Sequence, residues 1–161
     1  FNYIKNALIE IINCLYRDDY ISVYIFDMEL NIIHNPMKQE HINIQRSLNM
    51  LDTNNNSNLN GDIYSTIINL IDNIYHDNIY LQNRESTNLL YKIILLTSGI
   101  NYSNYYRENI YNKLNEHNNI NYELLICSFD KEPLRINHKR YHYYHYNNIQ
   151  QLINYIQNRS N

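Results

Sequence analysis

Leu89-Leu90-Tyr91-Lys92-Ile93-Ile94-Leu95-Leu96-Thr97 is the stretch on which the fold turns. Its nearly unbroken apolar run suits a strand covered on both faces, and such strands occupy the middle of parallel sheets. Downstream, a helix starting at Ser103 or Asn104 runs through Tyr106, Ile110 and Leu114 and leads to a second apolar run, Tyr122 to Phe129. Strand, helix, strand is a βαβ unit. Arg140 to Tyr146 alternates polar and aromatic residues, as a half-covered edge strand requires. Ile149, Leu152, Ile153 and Ile156 follow at i, i+3, i+4 and i+7, the apolar stripe of a closing helix, with Asn147 and Gln150 spaced as a capping pair.

Upstream of that core the alternation of helix and strand continues. Ile4, Leu8, Ile11, Ile12 and Leu15 recur at helical spacing, predicting a helix near residues 2–16. Tyr20 to Phe26 and Leu30 to Ile33 are rich in β-branched and aromatic residues, and the polar corner Asp27-Met28-Glu29 joins them as a hairpin that Pro36 ends. Residues 39–51 carry Ile42, Ile44, Leu48 and Leu51 in a roughly helical pattern, and the Asn-rich segment from Thr53 to Asn60 reads as a solvated loop. Asp62, after the Gly61 turn, is placed to cap a helix with Ile63, Ile67, Ile71 and Ile74 on its apolar face. Residues 77–88 show no clean period and read as a surface insertion.

Composition bounds the function. A chain of 161 residues with 44% hydrophobic and 18% charged residues has the size and make-up of one globular domain, residues 1–161. Abundant Asn, Ile and Tyr, with 2 Gly, 2 Pro and no Trp, are what codons rich in A and T produce, so composition says more about the genome than about the task. A net charge of -3 gives no basic footprint for nucleic acid or an anionic membrane, and the apolar runs are too short to span a bilayer. Cys14 and Cys127 lie far apart within apolar runs and read as small buried hydrophobes, neither a disulfide framework nor a zinc site.

Four motifs in order carry a family resemblance. Lys5-Asn6-Ala7-Leu8 leading to Asp18-Asp19-Tyr20-Ile21-Ser22-Val23-Tyr24-Ile25-Phe26 resembles a helix running into "DRVSLV.F". Asn55 to Gly61 resembles the loop "GGTNL..G", Lys92 to Gly99 resembles "..IILLTDG", and Tyr122 to Phe129 resembles the strand that follows it. Together they are similar to the von Willebrand factor A family. The resemblance implies a three-layer, doubly wound α/β fold: a mostly parallel sheet with helices on both faces, here beginning one strand late, because the family's first central strand and its "D.S.S" loop would precede Phe1. The chain is therefore expected to be an N-terminally truncated domain of this type, with the absent strand falling between Tyr20–Phe26 and Leu89–Thr97.

The resemblance also implies where the chemistry sits. In that family a divalent cation rests above the carboxyl ends of the strands, held by oxygen ligands from three loops, and a partner's acidic residue completes its shell. Ser57 stands where the family has Thr and is the one metal ligand carried over; Ser98 stands where the third loop has Asp. The implied metal site is thus degenerate: no cofactor is expected, and Mg2+ binds only if an upstream loop is supplied. The partner-binding loop face is expected at Ser57, Asn58, Ser98, Gly99 and Tyr102, with Tyr105 and Tyr106 beside it. Gly99 reads as a permissive turn residue.

The expected function is a non-catalytic module for protein interaction or adhesion. There is no P-loop, G-x-G-x-x-G, G-x-S-x-G or H-E-x-x-H, and 2 Gly leave no phosphate-cradling loop. Cys127 falls mid-strand, where a thiol is buried, and His142 and His145 fall on opposite faces of a strand. Two alternatives stand beside this reading, a metal-independent intracellular scaffold domain and an enzyme of unknown class. The sequons at Asn55 and Asn101 decide nothing in a chain this rich in Asn.

Overall fold

The computed structural model describes residues 2–26, 30–53, 63–82, 90–97, 104–131 and 134–158. They fall into two compact units, Phe1–Asp62 with Asn148–Asn161, and Ile63–Asn147.

The first unit opens with helix α1 (Asn2–Cys14). Its stripe Ala7, Leu8, Ile11 and Ile12 is buried, and the helix packs on α2 (Ile44–Thr53) and α5 (Ile149–Gln157). The stripe on α5 is the expected one, with Leu152, Ile153 and Ile156 buried. Strands β1 (Tyr20–Phe26) and β2 (Leu30–Lys38) pair antiparallel as a hairpin. Gln39 links these pieces, its backbone N–H donating to Asp19 O and its side-chain amide donating to Ile12 O at 3.2 Å.

The second unit holds α3 (Ile63–Gln82), β3 (Leu90–Leu96), α4 (Asn104–Leu114), β4 (Asn121–Ser128) and β5 (Tyr141–His145). Its three strands form a parallel sheet in the order β3-β4-β5, flanked by helices, so the chain is a mixed α/β protein as its alternation predicts. The β3–β4 ladder runs without a break from Leu90 opposite Asn121 to Leu96 opposite Cys127. Leu124, Leu125, Ile126, Cys127 and Ser128 are all 0% exposed, and since neighbours along a strand point to opposite faces, both faces of β4 are covered. Each of its large aliphatic side chains contributes about 1.5 to 3 kcal/mol by leaving water. Among the described residues β5 pairs with β4 alone, the edge position its alternating sequence predicts.

Four local expectations are corrected. Helix α3 continues to Gln82 where residues 77–88 read as an insertion: Asp77-Asn78 looks like a break, but Ile71, Tyr75 and Ile79 keep the i+4 spacing. β2 runs through Pro36 instead of ending there. The register jumps between Ile21–Met37 and Val23–His34, so Pro36 falls in a bulge on a strand that pairs with β1 alone among the described residues, a place where a missing N–H is tolerated. The stretch read as a helix over 39–51 begins as a 3-10 turn at Gln39–His41, and the α-helix starts only at Ile44. The Asn147/Gln150 cap is not made: a 3-10 turn over Tyr146–Asn148 precedes α5, whose N-cap Asn148 makes no side-chain cap bond, while the Asn147 N–H donates to His145 Nδ1.

Candidate functional site

Open parallel sheets bind ligands beyond the carboxyl ends of their strands. In the second unit that edge is formed by residues following Leu96 and Cys127, which are ladder partners. Thr97 extends the ladder by donating its N–H to Cys127 O at 3.1 Å and is buried. Ser128 donates its hydroxyl proton to Asp130 Oδ2 at 2.9 Å and receives the Asp130 N–H at 3.2 Å. With its own proton committed to the carboxylate, Ser128 Oγ also takes the hydroxyl proton of Tyr143 from β5. Phe129, partly exposed, lies edge-on to His145 at 5.5 Å and against Tyr146 at 4.5 Å, giving this edge an aromatic rim.

The loop residues expected to carry binding, Ser57, Asn58, Ser98, Gly99 and Tyr102, lie outside the described residues, as do the capping Asp62 and the sequon residues Asn55 and Asn101. The Ser128, Asp130 and Tyr143 cluster was not expected. Its signal in the sequence is small, a single Ser closing an apolar run before Phe129-Asp130.

Cys127 is free and fully buried, and burial pushes its thiol up to about 12. The thiolate, the nucleophilic form, is suppressed. Burial also raises Tyr141, whose hydroxyl donates to Leu134 O at 2.5 Å, and raises Tyr122 and Tyr144, with the charges of Glu116 and Glu123 adding respectively. Each of these groups ionises more readily when unfolded, so its stabilising contribution is complete below the unfolded pKa and falls as pH rises towards the folded one. The Cys127 thiol has an ordinary value of 9.0. Raising pH from roughly 8 to roughly 10.5 should therefore remove about 2 kcal/mol through this thiol alone. Urea unfolding at the two pH values checks it, and equal stability would show that these groups titrate alike folded and unfolded.

A second polar cluster lies at the amino edge of the same sheet, where α4 ends and the chain turns into β4. Lys113 Nζ sits 2.5 Å from Asp72 Oδ1 of α3 and 2.9 Å from Glu116 Oε2, and His117 Nε2 lies 3.1 Å from Asp72 Oδ1. The His117 ring stacks on Tyr75 with centroids 4.0 Å apart. Burial alone would raise the Asp72 carboxyl, but hydrogen bonds from Lys113 and His117, with their charges, hold it below the usual carboxylate range. Burial likewise works against the Lys113 charge, and the two carboxylates outweigh it and hold the ammonium above its ordinary range. The backbone here is fixed by Arg140, which donates through Nη1 to Leu114 O (2.8 Å) and Glu116 O (2.9 Å), and through Nη2 to His117 O (3.4 Å) and Ile120 O (2.9 Å). Its guanidinium lies 4.1 Å above the Tyr122 ring, and the Tyr122 hydroxyl donates to the carbonyls of Lys113 and Glu116.

No protein-family model and no curated protein matches the chain. Among solved structures it is similar to the manganese-loaded TRAP protein of Plasmodium vivax, at 19% sequence identity and a TM-score of 0.55. The match covers 96% of this chain and 65% of that one, so the chain spans about two thirds of the solved protein's length, and the likeness is one of fold.

Proposed function

We propose that the chain is a non-catalytic protein-binding module of the von Willebrand factor A type, an interaction or adhesion domain whose ion site has lost ligands. The observation that carries this reading is the continuous β3–β4 ladder. It ends on Thr97, directly before Ser98-Gly99 in the sequence, so that the third-loop motif follows a buried parallel strand as it does in that family. The fold likeness to the TRAP protein supports the fold on which this reading rests. The binding face is assigned to Ser57, Asn58, Ser98, Gly99 and Tyr102, with a protein as partner. A non-catalytic role is supported at the carboxyl edge, where among the described residues Cys127 is buried with its thiol held protonated and Ser128 is 0% exposed with its proton given to Asp130.

The ion fits poorly. The described donors at the carboxyl edge are the hydroxyls of Thr97 and Ser128 and the single carboxylate of Asp130, already engaged with Ser128. A hard divalent ion takes six or so oxygens, with at least one carboxylate free to bind it, and here the described carboxylate is taken by Ser128. Millimolar Mg2+, which an imidazole-bearing site does not favour, should therefore move the thermal midpoint by less than about 1 °C relative to EDTA. An ion held at 100 times its Kd would add about 2.7 kcal/mol, worth several degrees. A rise of that size would sink the degenerate-site reading in favour of ion-dependent adhesion. For the partner face, a photocrosslinking residue at Ser98 should capture the same protein as one at Tyr102, and one at Glu116 on the opposite edge should not. Equal capture from Glu116 would count against this face.

A further inference from the structure

We propose that Asp72, Glu116 and His117 form a site for a divalent transition-metal ion of the zinc class, in which the Lys113 ammonium and the metal are alternative occupants. The three ligand atoms lie within 4.8 Å of one another, with His117 Nε2 at 3.1 Å from Asp72 Oδ1 and 3.9 Å from Glu116 Oε2. Zinc bonds of about 2.1 Å set tetrahedral ligands roughly 3.4 Å apart, so these atoms need to move little to share one ion. An imidazole with two carboxylates suits zinc and its neighbours, and imidazole is a poor ligand for magnesium.

The cluster already holds a cation. The Lys113 ammonium lies between the two carboxylates with its side chain only 11% exposed, which marks the point where positive charge is stabilised. A lysine holds that point on a long flexible stem and can withdraw, whereas the ligands are set on fixed backbone. His117 is in the left-handed region at φ 56°, the only non-glycine residue with positive φ among the described residues. Arg140 holds the carbonyls of Glu116 and His117, and Tyr75 lies flat on the imidazole. Ligands held this way lose little freedom on binding. Asp72 at 39% and Glu116 at 53% side-chain exposure leave a path in from solvent.

Cobalt(II) serves as the probe because its visible d–d bands become intense when the ion leaves octahedral water for a four- or five-coordinate site, and the His117→Asn variant then reports the imidazole. Titrated into the full chain, it should saturate at one ion per chain and be displaced by zinc. Asp72→Asn and His117→Asn should each weaken binding by at least about tenfold. Asn tolerates the left-handed backbone, so His117→Asn removes the imidazole while sparing the turn. Lys113→Met, which removes the competing ammonium, should tighten binding by about tenfold or more and let zinc raise the melting midpoint of that variant. Absence of the bands in both the wild type and Lys113→Met would overturn the site, as would unchanged affinity in His117→Asn, which would place the ion on other histidines. Magnesium insensitivity at the carboxyl edge has no bearing on this result, so the two proposals fail separately.

Discussion

Arg140→Ala should lower the unfolding free energy by about 4 kcal/mol, at the upper end of what single substitutions do. One buried guanidinium satisfies the carbonyls of Leu114, Glu116, His117 and Ile120, which include the last orphan groups of α4 and the turn that reverses the chain into β4. Hydrogen bonds from a charged donor are worth about 1.5 to 3 kcal/mol, and each buried carbonyl left without a partner costs about 1 to 3 kcal/mol. Arg140→Lys should recover less than half of the loss. An ammonium is a point donor and cannot reproduce the planar fork that reaches four oxygens and lies over Tyr122. Urea unfolding of the three proteins followed by circular dichroism checks both statements. A loss below about 1 kcal/mol for the Ala variant would mean that water replaces the guanidinium at the turn.

The second large effect is expected in the central strand. Leu125→Ala should cost about 3 kcal/mol, because its side chain is 0% exposed between two sheet neighbours and the surrounding backbone is tied by ladders on both sides, so the cavity cannot close. Leu90, at the start of β3 and 58% exposed, offers the matched control: Leu90→Ala should stay within about 0.5 kcal/mol. Similar losses at the two positions would show that strand propensity, not burial, sets the cost.

How much could be read from the sequence follows from the range over which each signal acts. The apolar runs at 90–96 and 121–128 declare themselves because a strand covered on both faces needs no alternation. The stripes on α1 and α5 were legible for a similar local reason, their spacing. Pro36 misled because a proline ends a strand only where its N–H is needed, and the bulge that removes that need is a property of the pairing, invisible in one strand alone. The sites were legible in proportion. The resemblance pointed to Ser57, Asn58, Ser98, Gly99 and Tyr102, all outside the described residues. By contrast, Asp72 meets Lys113 and His117 across separations of 41 and 45 residues, and Arg140 reaches its carbonyls across 20 to 26. No local periodicity encodes such meetings; only the packing of α3 on α4 and the parallel crossover bring them together.

The three-stranded ladder has a consequence for handling the protein. β3 is hydrogen-bonded to a neighbour strand on one edge only among the described residues, and its sequence, Leu90-Tyr91-Lys92-Ile93-Ile94-Leu95-Leu96, combines high β propensity with a single charge. Segments of that kind template intermolecular strand addition when transiently exposed. Lys92 is the gatekeeper in the middle of the run, its charge interrupting what would be a self-associating apolar ribbon. Recovery of soluble protein during refolding should thus depend on chain concentration, and Lys92→Ile should turn that dependence into precipitation even where the folded state is no less stable.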